Sequence, residues 1–172
     1  MTGKAKRENV SPRITDAAAD DADRLADVIR RASRDVAERF GVTAENCPKH
    51  PSHCTAEWVD AAMGKGVRFY VLESDGAACG CVALEPAKPN VCYLERLAVL
   101  PEFRRRGFGA ALVRHALEQA KALGAGRVEI GIIAEHTELK SWYARLGFVV
   151  EREAVTFEHL PFKVTFMYCL LE

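Results

Sequence analysis

The stretch from Leu97 to Ala120, LAVLPEFRRRGFGAALVRHALEQA, constrains the fold of this chain more than any other. It reads as a β-strand, a basic glycine-containing loop and a long amphipathic helix. Gly107 and Gly109 carry no Cβ, so the backbone there can turn sharply and approach a ligand closely. The loop amides and the following helix N-terminus open onto one space, which suits a pyrophosphate. Arg104, Arg105 and Arg106 add positive charge beside it. Two better-known phosphate loops are excluded. A P-loop needs a Lys-Ser/Thr pair after its second glycine, where this chain has Ala110-Ala111. A dinucleotide fingerprint needs a small third residue where Leu112 stands. A lone GxG would suggest a plain basic turn, but the strand–loop–helix setting argues against that.

The rest of the chain predicts a single α/β domain around this unit. Residues 1–10 are polar and aperiodic, a disordered tail, leaving 11–172 as the domain. PRITDA is a short first strand. A helix follows from about Asp20 to Phe40, with acidic residues at its start and Gly41 as its stop. Leu25, Val28, Ile29, Ala32 and Val36 recur at helical spacing and should face a sheet. A second helix runs from Thr55 to Met63. Period-two strands VRFYVLES and AACGCVALEP flank Asp75-Gly76, a tight-hairpin signal. VCYLERLAVL ends at Pro101, and the long helix spans Gly109 to Leu123. RVEIGII, a helix over Thr137 to Leu146, and the strands FVVEREAVTF and FKVTFMYCLL complete the order βααβββαβαββ. This implies a mixed central sheet flanked by about four helices.

Two phrases resemble those of the GNAT superfamily, the acyl-CoA-dependent N-acyltransferases. LAVLPEFRRRGFGAAL is similar to the acyl-CoA signature, with Arg104, Gly107 and Gly109 at its defining positions. SWYARLGFVV matches the second family phrase. The resemblance implies a GNAT fold in which the strand carrying Leu97, Ala98 and Val99 splays from its parallel neighbour RVEIGII. It implies acetyl-CoA as co-substrate, held by the amides of those three residues and by Arg105, Arg106, Gly107, Phe108, Gly109 and Ala110. No metal is required. It implies direct acetyl transfer to a primary amine in a ternary complex, with a small-molecule acceptor expected. A protein lysine or N-terminus is the alternative acceptor, and a non-catalytic acyl-CoA-binding or metal-sensing module is the rival from another class.

Such a reaction needs proton carriers. Tyr143 stands where the family keeps a tyrosine near the CoA sulfur and is read as general acid; packing beside Trp142 is the other reading. Glu95 lies on the central strand as candidate base, or as half of a strand-face ion pair with Arg96. Tyr93 shares its strand face and is a candidate substrate contact. His136 occupies the place of a family asparagine and is a candidate pantetheine contact or base. His159, in the link FEHLPF, is read as a substrate contact. His115 is expected to face solvent, and Cys79 and Cys81 to point the same way into the core.

The loop CPKHPSHC remains. The resemblance implies that this loop borders the acceptor, so Pro48 and Pro51 are read as stiffening a lip that presents His50 and His53. A zinc site of Cys47, His50, His53 and Cys54, or a Cys47–Cys54 disulfide, is the less favoured reading. Composition bounds the partners. The chain has 24 basic and 24 acidic residues among 172, so no net charge recruits nucleic acid or a membrane surface. Six cysteines, four of them in apolar strand-like runs, suit reduced thiols in a cytoplasm. A homodimer is left open.

Overall fold

The computed structural model describes residues 11–172; the tail expected over 1–10 lies outside the described residues. The element order is β1 (Arg13–Asp16), α1 (Ala22–Arg39), α2 (Ala56–Gly64), β2 (Arg68–Ser74), β3 (Ala77–Lys88), β4 (Val91–Val99), α3 (Phe108–Ala122), β5 (Arg127–Ile133), α4 (Thr137–Arg145), β6 (Val149–Val155) and β7 (Val164–Leu170). This is the order expected from the sequence. The described strands form one sheet in the order β1-β2-β3-β4-β5-β7-β6.

Local chemistry sets the boundaries. Asp75 and Gly76 both take positive φ (51° and 77°), the twist that a two-residue hairpin between β2 and β3 requires. The Thr55 side chain accepts from the Trp58 amide and starts α2. Gly124, at φ 84°, follows α3.

Both sheet faces are covered. Strand β2 shows this directly, since Phe69 and Val71 pack under α1 and α2, whereas Tyr70 and Leu72 pack under α3 and α4. On α1, Leu25, Val28, Ile29 and Ala32 are buried as the periodicity predicted. Val36 departs from that expectation: it lies where the sheet has opened and lines a cleft. Among the described residues no helix is long and apolar enough to cross a membrane.

Two smaller expectations are corrected. His115 does not simply face solvent: its ring meets Tyr70 edge-on at 4.7 Å and its Nε2 is buried without a partner. Cys79 and Cys81 are both buried but lie in the cores on opposite sheet faces. A register shift between Leu72 and Glu73 on β2 breaks the alternation that would have put them together.

Candidate active site

The one parallel pair in the sheet is β4 with β5, and it is short. Pairing runs from Val91–Arg127 to Tyr93–Glu129 and stops there, although both strands continue. Beyond Tyr93 the sheet is open, and a cleft of about 960 Å³ passes through the gap.

Backbone direction decides what faces this gap. The Leu100 amide donates to the Cys79 carbonyl of β3 at 2.9 Å. Alternation then turns Ala98 toward β3 and directs the Leu97 and Val99 amides to the open side. The Val99 carbonyl fits this pattern, since it accepts from Arg104 Nε at 3.2 Å rather than from a strand. Of the three residues expected to hold the acyl group through their amides, Leu97 and Val99 therefore present them.

The glycine loop follows. Gly107 caps α3 in the left-handed region at φ 79°, and Arg105 shares that region at φ 61°. Gly109 has a different task. A Cβ there would lie 3.2 Å from Trp142, so the glycine allows α4 to pack against the first turn of α3. Arg104 is already engaged: it donates to Asp35 at 2.6 Å and to the Ala32 carbonyl at 2.9 Å, fastening the loop to α1. This guanidinium holds the Asp35 carboxyl below its usual range. Arg105 and Arg106 are exposed.

On the α3–α4 side of the gap stands Tyr143, 5% exposed, its ring between Trp142 and Phe148 at 5.0 and 5.2 Å. Burial drives its phenol pKa well above the usual tyrosine value, so it is a neutral O–H donor. On the α1–α2 side stands Glu95. Burial comes first, and the neighbouring Glu85 carboxyl second, in pushing its pKa up to about 7. Two carboxyls in contact ionise together poorly.

The expected ion pair of Glu95 with Arg96 is not what holds this carboxylate. Arg96 lowers the Glu95 pKa, but less than burial and Glu85 raise it. Replacing Glu85 by glutamine should therefore move the acid limb of any Glu95-dependent rate to lower pH, because the shared negative charge is removed. A pH profile of kcat/KM on the two proteins measures this directly.

His136 lines the cleft at the start of α4, its ring 5.4 Å from Phe40 and its Nε2 3.6 Å from Glu138. Burial and then Arg39 lower its pKa, so it is neutral at neutral pH. Above it, Arg39 holds Glu138 through two contacts of 2.7 and 3.0 Å and ties α1 to α4.

The CPKHPSHC loop divides. His50 and Pro51 line the cleft, as a stiffened lip would. The His50 Nδ1 accepts from the Ser52 amide at 3.2 Å, which fixes the proton of the neutral ring on Nε2. Cys47 packs with Ala37 and Val42, whereas Cys54 lies in the core beneath α1. These side chains diverge, and among the described residues no three His, Cys, Asp or Glu groups gather as metal ligands. Both thiols are free.

Four predicted site residues stand outside the cleft wall: Arg106, Tyr93, His53 and His159. Tyr93 occupies the last paired rung, with the Lys88 ammonium 5.8 Å from its ring. His53 keeps its Nε2 buried, and His159 is exposed beside Phe157. The sequence reading missed Glu85 and Asp35. Counting back from the Lys88–Val91 pair would set Glu85 opposite Leu94; the register shift between Pro86 and Lys88 instead sets it opposite Tyr93, diagonal to Glu95, so the count could not find it. Asp35 meets Arg104 across 69 residues of chain, and no local signal announces it.

The model of the acetyltransferase (GNAT) family matches residues 30–148, from α1 to the start of β6. An uncharacterized N-acetyltransferase of Methanocaldococcus jannaschii is 37% identical over 93 residues, which are 51% of this chain and 41% of that protein. An amino-acid acetyltransferase of Neisseria meningitidis is 33% identical over 86 residues, 49% of this chain and 19% of that protein. The chain thus spans less than half the length of these two curated relatives. Among solved structures, a PaiA N-acetyltransferase from Thermoplasma acidophilum in complex with coenzyme A superposes with a TM-score of 0.77. That likeness, at 18% identity, covers 94% of this chain and 99% of the other, and it concerns the fold. The opened β4–β5 pair, the glycine loop capping α3 and a family match over more than half its length agree: the chain belongs to the acetyltransferase (GNAT) family.

Proposed function

We propose that the protein is an N-acetyltransferase that moves an acetyl group from acetyl-CoA to the primary amine of a small molecule, by direct attack in a ternary complex. The observation that carries this reading is the gap between β4 and β5, walled by Glu95 on one sheet face and Tyr143 on the other. Relatives named as N-acetyltransferases and amino-acid acetyltransferases support the reaction and a small acceptor. The free thiols suit a reducing, cytoplasmic setting.

Acetyl-CoA supplies the thioester. The Gly107 turn and the start of α3 would receive its pyrophosphate, with Arg105 adding charge. The Leu97 and Val99 amides face the place where carbonyl oxygen gains charge. Glu95, its pKa pushed up to about 7 by burial and Glu85, takes one proton from the ammonium and frees its lone pair. The C–N bond forms, the C–S bond breaks with its electron pair on sulfur, and the second amine proton leaves to solvent. The Tyr143 hydroxyl gives its proton to the thiolate and recovers one from water. Burial raises the basicity of the thiolate too, so the phenol's high pKa does not stop the transfer.

Thiol release from acetyl-CoA across a panel of amines tests the reading. Tyr143→Phe should lower kcat by about 10²-fold while leaving coenzyme A affinity intact. Tight coenzyme A binding with no thiol release for any amine would sink it in favour of a non-catalytic binding module.

A further inference from the structure

Arg96 lines the cleft, and the transfer reaction leaves its chemistry unused. Its Nη1 is buried and has no hydrogen-bond partner. It takes part in no ion pair among the described residues, whereas Arg39 and Arg104, which also line the cleft, are both paired. The residue is half-buried, and a buried N–H of a cation without an acceptor costs free energy that an anion placed there would recover.

The backbone beneath it is also strained. Arg96 sits at φ 49°, a region that disfavours side chains other than asparagine, aspartate and glycine. The strain has a geometric result. Between the pairs Ala83–Glu95 and Cys81–Ala98, two residues of β4 oppose the single Val82 of β3. This bulge breaks the alternation. Leu94 and Leu97 pack on the α3–α4 face. Arg96 turns the other way, its guanidinium 5.9 Å over Phe69, which belongs to the core under α1 and α2. Glu95 precedes it and opposes Ala83 of that same core. Consecutive residues of a strand thus address one side of the cleft, from Cα atoms about 3.8 Å apart.

We propose that Arg96 binds a carboxylate of the acceptor, so that the substrate class is a free amino acid or a close amino-carboxylate relative. The inference rests on the acetyltransferase reading and adds the acceptor's second group. One small molecule then meets both residues, its ammonium at Glu95 and its carboxylate at Arg96. The pyrophosphate is the wrong anion for this guanidinium, because the loop suited to it lies beyond the far end of β4, at the start of α3.

Matched pairs test this: phenylalanine against phenethylamine, leucine against isopentylamine, and glutamate against 4-aminobutyrate as a displaced-carboxylate control. A charge-assisted hydrogen bond predicts that for at least one pair the wild-type protein favours the amino acid by about 10- to 100-fold in kcat/KM. Arg96→Asn should erase that difference, and Arg96→Lys should keep part of it. Asparagine tolerates positive φ, so Arg96→Asn should melt no lower than wild type, with coenzyme A affinity as the check on folding. Equal rates for both members of every pair in the wild type would overturn the proposal. So would the same loss on both members in Arg96→Asn, which a purely structural role predicts. If coenzyme A binds but no amine reacts, the acetyltransferase reading fails. The anion site is then read by calorimetric titration of N-acetylated amino acids against their methyl amides into the coenzyme A complex. Carboxylate-dependent binding lost in Arg96→Asn would uphold the site, and its absence would sink it.

Discussion

Replacing Glu95 by glutamine is expected to lower kcat/KM for amine acetylation by about 10²- to 10³-fold and to make the protein more heat-resistant above neutral pH. Both results follow from one carboxyl. Glutamine fills the same space between β3 and the cleft but cannot accept the ammonium proton. The wild-type acid limb near pH 7 should disappear from the residual rate, since the group that titrates there is gone. The stability effect has a definite sign. The Glu95 pKa is raised on folding, so its contribution is fully present below the unfolded value near 4.5 and is lost as pH rises through about 7. The melting-temperature advantage of Glu95→Gln should therefore grow between those limits and level off above them. Melting curves across that range and initial rates on the same samples measure both. A variant that loses activity with no such pH-dependent gain would mean the carboxyl is not strained by burial.

The second large effect concerns folding. A Cβ on Gly80 would lie 2.6 Å from the Ala98 carbonyl oxygen and 3.1 Å from Leu112. The first of these is backbone of β4 beside the gap, and it cannot swing aside as a side-chain tip can. Gly80→Ala should cost about 2–3 kcal/mol, which lowers the melting temperature of a domain this size by about 4–12 °C. The shift of β4 should also weaken coenzyme A binding, because Leu97 and Val99 flank the displaced carbonyl. Gly64→Ala is the control. That glycine ends α2 with nothing within 4 Å of the added methyl, and alanine there should leave the melting temperature level or raise it. Equal melting curves for Gly80→Ala and wild type would show that β3 and β4 have slack at this crossing.

Legibility of the chain followed the range of the interactions. The Asp75-Gly76 hairpin, the Thr55 cap and the stripe on α1 are local, and each was read within a residue or two of its observed place. Gly107 was readable too, since a strand, a glycine turn and a helix occur together in one segment. Tyr143 and Glu95 were nameable from the family resemblance, but not the surroundings that set their protons. Burial of Tyr143 in the core with Leu112 and Ile130, and contact of Glu95 with Glu85, arise only when separate strands and helices pack together. His159 shows the opposite failure: its linker was placed near the acceptor, yet the side chain points to solvent outside the cleft.

By itself the sequence determined the element order, the family phrases and the loop that starts α3, because periodicity, caps and turn residues act over a few positions. It could not determine where the alternation of β4 would break. A bulge is decided by the pairing of β4 with β3, a contact between strands, and it turned Arg96 onto the same side as Glu95. The strict period of two would have put these neighbours on opposite faces. Only the tertiary structure set the Glu95 carboxyl and the Arg96 guanidinium side by side in one cleft.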